Sequence, residues 1–168
     1  MILAIMSDTH DNLDHLMRAL PRLQQADAVL HCGDLCSPFT LKRLAEGAAG
    51  KPVHLVWGNN DGDRRMLAAV AAQTGNVTLH GEFADFDIRG FRIAMSHYPE
   101  VARAVAAAQQ HDLVCYGHNH QACEARVGNT LLLNPGELAG VLTGRATCAL
   151  LDTETGHITW IEVTASDQ

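Results

Sequence analysis

Short apolar runs alternate with amphipathic stretches through the first half of the chain, and the two kinds of run call for different elements. Residues 2–6, 28–30 and 53–57 are brief and apolar, the pattern of buried strands. Between them, residues 13–25 carry helical spacing after Asp11 or Asn12 as a cap, with Pro21 placed to kink or restart the helix. Ser37-Pro38 is a cap followed by a first-turn proline and opens a helix to residue 46. Asp63 caps an alanine-rich helix over 64–73. The second half reads as hairpins: 83–88 with 91–95 across Arg89-Gly90, 123–127 with 130–133 across Gly128-Asn129, and 146–152 with 157–163 across Thr153-Glu154-Thr155-Gly156. A helix over 99–110 and a strand over 112–116 interrupt them. A strand–helix–strand half followed by hairpins predicts two mixed sheets packed together with helices outside, in one domain over residues 1–168.

Composition narrows the function classes. The 168 residues are 47% hydrophobic and 18% charged, which excludes a disordered or collagen-like chain. The net charge of −7 argues against long nucleic acid, which needs clustered cations, but leaves room for a small phosphate ester at a local metal site. No apolar run reaches the roughly 18 residues of a membrane span, so no membrane association is expected. The opening apolar run lacks a basic leader and meets Asp8, so it reads as a first strand rather than a signal peptide. Five cysteines without a CxxC pair predict reduced thiols and a cytoplasmic protein.

Ten histidines are the unusual feature, and their placement is informative. Five apolar runs end in the same way. They run into Ser7-Asp8-Thr9-His10, His31-Cys32-Gly33-Asp34, Gly58-Asn59-Asn60-Asp61, Ser96-His97 and Gly117-His118-Asn119-His120. Ligands bind outside the carboxyl ends of the strands in such sheets, so these polar groups can converge. Asp, His and Asn supply oxygen and nitrogen donors, and no cysteine takes a ligand-like slot. That set suits Mn, Fe, Zn or Ni with open positions. On an extended backbone, Asp8-x-His10 and His118-x-His120 would point both side chains the same way. Gly33, Gly58 and Gly117 allow close approach beside the polar groups. Singly, an Asp after a strand is a helix cap and a loop His a solvated side chain. Two acids, four histidines and an asparagine at five strand ends exceed what capping needs. The other histidines take bland readings: His15 solvated on the first helix, His54 satisfied in a strand, His80, His111 and His157 at element ends. His31 is a candidate to support the site from behind.

The set Asp8-x-His10, Gly33-Asp34, Gly58-Asn59-x-Asp61, His97 and Gly117-His118-x-His120 resembles the calcineurin-like metallophosphoesterase superfamily. The chain length and Asn134-Pro135-Gly136-Glu137 resemble its small single-domain bacterial and archaeal phosphodiesterase branch. The resemblance implies a four-layer α/β/β/α sandwich of two mixed β-sheets flanked by helices. It implies two divalent metal ions, manganese first and iron, zinc or nickel as alternatives. Asp8, His10 and His120 would hold one, Asn59, His97 and His118 the other, and Asp34 would bridge both. The implied reaction is hydrolysis of a small or nucleotide-like phosphate ester by a hydroxide the ions share.

Three departures bear on substrate. Asn60 stands where many members carry a histidine that assists the leaving group; Asn60 can donate a hydrogen bond but cannot shuttle a proton near pH 7. That favours diesters over alkyl monoesters. Asp61, the usual partner of that histidine, is left to orient His97 or cap the next helix. Tyr98 follows His97 where close relatives have glycine, which makes Tyr98, with Asn59 and Asn60, a candidate substrate contact. Asn119 replaces a common Thr or Ser. A phosphomonoesterase is the alternative enzyme, with His31 as its only nearby proton donor. A non-catalytic scaffold is the alternative outside enzymology, since the retromer complex contains a subunit of this fold; an HNH nuclease reading of His118-Asn119-His120 is weaker. Specificity is expected from loops 35–37, 98–100 and 136–144, and exposed hairpin edges leave room for a homo-oligomer.

Overall fold

A computed structural model describes residues 1–163; residues 164–168, the end of the predicted domain, lie outside the described residues. Eleven strands form two sheets among the described residues. The first sheet joins β1 (Ile2–Met6), β2 (Ala28–His31), β3 (Val53–Leu55) and β4 (Val77–Leu79) in parallel. β10 (Ala146–Asp152) and β11 (Ile158–Val163) add antiparallel to β1, giving the order β11-β10-β1-β2-β3-β4. The second sheet runs β5-β6-β7-β9-β8, from β5 (Phe83–Ile88), β6 (Phe91–Ser96), β7 (Leu113–Cys115), β9 (Thr130–Asn134) and β8 (Cys123–Val127). Its β6, β7 and β9 are parallel.

Alternation along each strand divides the core into layers. Leu3 and Ile5 of β1 join Ile93, Met95, Leu113, Cys115, Leu131 and Leu133 in the buried cluster between the sheets. Ala4 and Met6 face the other way, against Leu16, Leu20, Leu41, Leu44 and Leu67 of the helical layer. Ala94, Val114 and Leu132 pack on Ala102 and Ala106 of the single helix behind the second sheet. The result is the four-layer α/β/β/α sandwich that the family resemblance implied.

Local chemistry sets the element ends. Asn12 caps α1 (Leu13–Ala19) by accepting from the His15 N–H. Pro21 lacks an N–H, and the chain tightens into a 3₁₀ segment, Leu20–Gln25, so the expected helix over 13–25 is restarted. Ser37 caps α2 (Pro38–Gly47) and Asp63 caps α3 (Arg64–Thr74). The helix α4 (Pro99–Ala107) stops short of residue 110 because Gln109 turns left-handed, φ +53°. β3 stops at Leu55 rather than 57 because the Trp57 N–H leaves the ladder for the Gly81 carbonyl. The short β4 carries no apolar run and was not among the expected elements.

Candidate metal centre

All five polar segments lie at the carboxyl ends of β1, β2, β3, β6 and β7, and backbone bonds bind the loops to one another. The Asp8 N–H donates to the Gly33 carbonyl at 3.0 Å, that of His10 to Asp34 at 3.0 Å, and that of Gly117 to His97 at 3.0 Å. Two donor groups result, Asp8 with His10 and His120, and Asp8 with Asp34 and His97; within each, one atom from every residue lies within 4.8 Å of the others. His120 Nε2 is 3.4 Å from Asp8 Oδ1 and 3.3 Å from His10 Nε2. Asp34 Oδ2 lies between the groups, 3.6 Å from His10 Nε2 and 3.3 Å from His97 Nε2. Asn59 Oδ1 sits 3.1 Å from His97 Nε2 and 2.9 Å from His118 Nδ1. The seven residues proposed as ligands from the sequence are brought together.

Elementary valence shows that this cluster fits a cation. His97 Nδ1 donates to the Cys32 carbonyl at 2.8 Å, so in the neutral ring Nε2 carries a lone pair. That lone pair faces carboxylate and amide oxygens. His120 Nδ1 donates to Glu137 Oε2 at 2.9 Å, and its Nε2 lone pair faces Asp8 and His10. Donor atoms aimed at each other need a positive charge between them. Asp8 and Asp34 are buried almost completely. Burial raises the pKa of Asp8 above the ordinary carboxylate value, despite the Ser7 hydroxyl and the nearby imidazoles. For Asp34 burial acts the same way, but hydrogen bonds from His97 and Asn60 outweigh it and hold the carboxyl well below that range. Burial pulls His97 down, yet Asp34 beside it holds the imidazole above its usual value.

Several neighbours fix this geometry. Asp61 accepts from the backbone N–H groups of Gly58 (2.7 Å), Cys36 (2.8 Å) and Asp34 (3.0 Å). It therefore ties two loops together in place of either alternative expected of it, orienting His97 or capping α3; Asp63 is the cap. Asn60 donates to Asp34 from both its backbone N–H (2.7 Å) and its side chain (2.8 Å). Tyr98 packs edge-on to His118 and His97 at ring distances of 5.2 and 5.3 Å. A Cβ at Gly33 would stand 2.7 Å from His97 Nδ1; at Gly58 it would overlap Asp34 Oδ1, and at Gly117 the Ser7 hydroxyl.

Some expectations need correction. Asp8, His10, Asp34, His118 and His120 all have positive φ, from +44° to +72°, so tight left-handed turns aim the donors, not extended backbone. His31 is fully buried, with Nε2 on the Thr9 hydroxyl at 2.9 Å and Nδ1 on the Gly33 N–H at 3.2 Å. Burial brings its pKa down to about 4, so it braces the Gly33-Asp34 turn and is closed as a proton donor. His15 is half-buried rather than free in solvent: its Nδ1 lies 3.0 Å from the Leu138 carbonyl. His54 is satisfied by His80, Nδ1 to Nε2 at 2.9 Å. Glu137 was quoted only as part of a segment, yet it accepts from His120 and from residues 141–143. Its signal was available, since 131–133 is a sixth apolar run ending in polar residues, Asn134-Pro135-Gly136-Glu137.

A sandwich of two mixed sheets with carboxylate, imidazole and amide donors at one end defines a class, the calcineurin-like phosphoesterases. The profile of the calcineurin-like phosphoesterase superfamily domain matches residues 1–156, and the chain belongs to that family. It is 34% identical over 158 residues to a phosphodiesterase of Methanocaldococcus jannaschii, covering 92% of this chain and 94% of that one. It is 30% identical over 146 residues to a probable metallophosphoesterase of Methanothermobacter thermautotrophicus, covering 81% and 76%. A solved structure of an archaeal phosphodiesterase superposes with a TM-score of 0.89 at 30% identity, over 96% of this chain and 99% of that one. The chain is a phosphoric ester hydrolase by this kinship, and the family implies divalent metal ions, which the donor set fits. No helix among the described residues is long and apolar enough to cross a membrane.

Proposed function

We propose that this chain is a cytoplasmic phosphodiesterase that uses two divalent cations, manganese foremost, to hydrolyse a small or nucleotide-like phosphodiester. Asp8, His10 and His120 would hold one cation, Asn59, His97 and His118 the other, and Asp34, whose Oδ2 lies between His10 and His97, would serve both. When bound, the cations neutralise phosphoryl oxygens and acidify water. Asn59 contributes a neutral oxygen, so the centre keeps positive charge for an anionic ester. Asn60, beside Asp34, and Tyr98, beside His97 and His118, would contact substrate with Asn59.

The observation that carries the diester reading is Asn60. Its amide is bound to Asp34 at 2.8 Å, it has no titratable proton, and the one other candidate donor, His31, is buried with both nitrogens engaged. A monoester passes through a loose transition state that puts heavy charge on the leaving oxygen. A site without a proton shuttle serves such leaving groups poorly. The similarity to an archaeal phosphodiesterase supports the same reading.

The test is hydrolysis of bis-p-nitrophenyl phosphate and p-nitrophenyl phosphate side by side, with Mn. Diester turnover should dominate and vanish in Asp34→Asn. Asn60→His should raise turnover of an alkyl monoester such as glycerol 2-phosphate by about tenfold or more, because that leaving group needs the proton. Monoester turnover that dominates in the wild type overturns the diester preference. No metal-dependent turnover of either ester overturns the enzyme reading.

A further inference from the structure

Three imidazoles present Nε2 to the cluster, and two of them are backed by oxygen. His97 Nδ1 donates to the Cys32 carbonyl at 2.8 Å and His120 Nδ1 to Glu137 at 2.9 Å. The third, His10, is backed by sulfur: Cys36 Sγ lies 3.7 Å from its Nδ1. The structure holds that sulfur in place at a cost. Cys36 has φ +82°, in the left-handed region that a side chain with a Cβ rarely adopts. Its N–H donates to Asp61 at 2.8 Å, and its carbonyl accepts from the Gly62 N–H at 3.2 Å. On the next residue, the Ser37 N–H donates to Asp11 Oδ1 at 3.0 Å. Bonds on both sides thus clamp the cysteine against the back of the ring, through the same Asp61 that holds Asp34.

We propose that Cys36 is a positioning residue for His10, its sulfur accepting the Nδ1 proton so that Nε2 keeps a lone pair directed at Asp8 and Asp34. The proposal rests on the two-cation reading above. Its chemistry is distinctive. A thiol sulfur is a weak acceptor, whereas the Glu137 carboxylate behind His120 is a strong one and raises that ring's basicity. The pocket of Asp8, His10 and His120 therefore has one firmly backed imidazole and one softly backed imidazole. His10 is the one more easily turned away.

The test is calorimetric titration of Mn into the metal-free full chain, as wild type, Cys36→Ala and Cys36→Ser. Neither variant adds backbone strain, because alanine and serine meet the same φ as cysteine. Cys36→Ala should weaken one of the two binding steps by about 10–100-fold and leave the other within about threefold. Cys36→Ser restores an acceptor and should return that step to within about threefold of wild type. Melts of the metal-free variants read packing separately: a purely structural role would lower the melting temperature in step with affinity, whereas the positioning role weakens Mn binding alone. Long-range proton–nitrogen NMR of the metal-free wild type, in which no cation fixes the tautomer, should show the His10 proton on Nδ1, and this decides alone if Cys36→Ala does not fold. Wild-type affinity in Cys36→Ala, serine as weak as alanine, or an unprotonated His10 Nδ1 would each overturn the proposal. A wild type that binds no cation would instead overturn the two-cation reading beneath it.

Discussion

Glu137 is fully buried, yet it is ionised and crowded with donors: His120, the backbone N–H groups of Val141, Leu142 and Thr143, and the Thr143 hydroxyl. Burial alone would raise its pKa, but the bonds from Thr143, His120 and Leu142 outweigh it and bring the value to about 2, below the ordinary 4.5. The sign follows. A depressed acid stabilises the fold in full above its ordinary pKa, and that share is lost as pH falls through the folded value. Metal-free protein should therefore lose stability between about pH 4.5 and 2, by on the order of 3 kcal/mol from this residue. In Glu137→Gln that acid-dependent share should be missing, the melting temperature at neutral pH should fall, and Mn affinity should drop by about 10–100-fold. Melts across this pH range check it; parallel pH curves for the two proteins would refute the assignment.

At the scale of elements, the site is a property of strand ends and of the space between loops. Gly58 shows this most directly. Its φ is not in the left-handed region, so only space forbids a side chain there, and a Cβ would overlap the Asp34 carboxylate. Gly62, four residues on, has nothing within 4 Å of an added Cβ. Gly58→Ala should cost about 1–3 kcal/mol in thermal unfolding and weaken Mn binding, while Gly62→Ala should change neither by much. Equal behaviour of the two in melts and titrations would remove the packing argument. The grammar of an apolar run ending in polar residues was legible from sequence, because strand and site share an end in this architecture. The layers were legible too, since Leu3 and Ile5 alternate with Ala4 and Met6. What was hidden was tertiary. β4 is three partly exposed residues without an apolar run, recruited by pairing with β3. Asp61 takes its partners from residues 34 and 36, which no local pattern announces. The left-handed turns at Asp8, His10, His118 and His120 were read as extended strand, because nothing but glycine marks such a turn plainly.

At the scale of the whole molecule, the centre joins the two sheets at the carboxyl ends of their strands. Asp8, His10, Asp34 and Asn59 follow strands of the six-stranded sheet; His97, His118 and His120 follow strands of the five-stranded one. The His97 and His120 nitrogens and the Asp8 and Asp34 carboxylates meet at that junction. A divalent ion held by both sheets is a cross-link present only in the folded state, so metal binding becomes folding free energy. One cation at a hundred times its Kd adds about 2.7 kcal/mol. A chain of this size gains about 2–4 °C for each kcal/mol, so Mn should raise the melting temperature of chelator-treated protein by roughly 5–10 °C. Asp34→Asn removes the carboxylate that faces both donor groups and should abolish most of that rise, although the amide is nearly the same size. The gain should also shrink in acid, where protons compete for the imidazole lone pairs. Differential scanning calorimetry with and without Mn, on both proteins at pH 7.5 and pH 5, reads all three effects. A melting temperature indifferent to Mn in the wild type would mean that the two sheets do not share a cation, and the ligand assignment would fall with it.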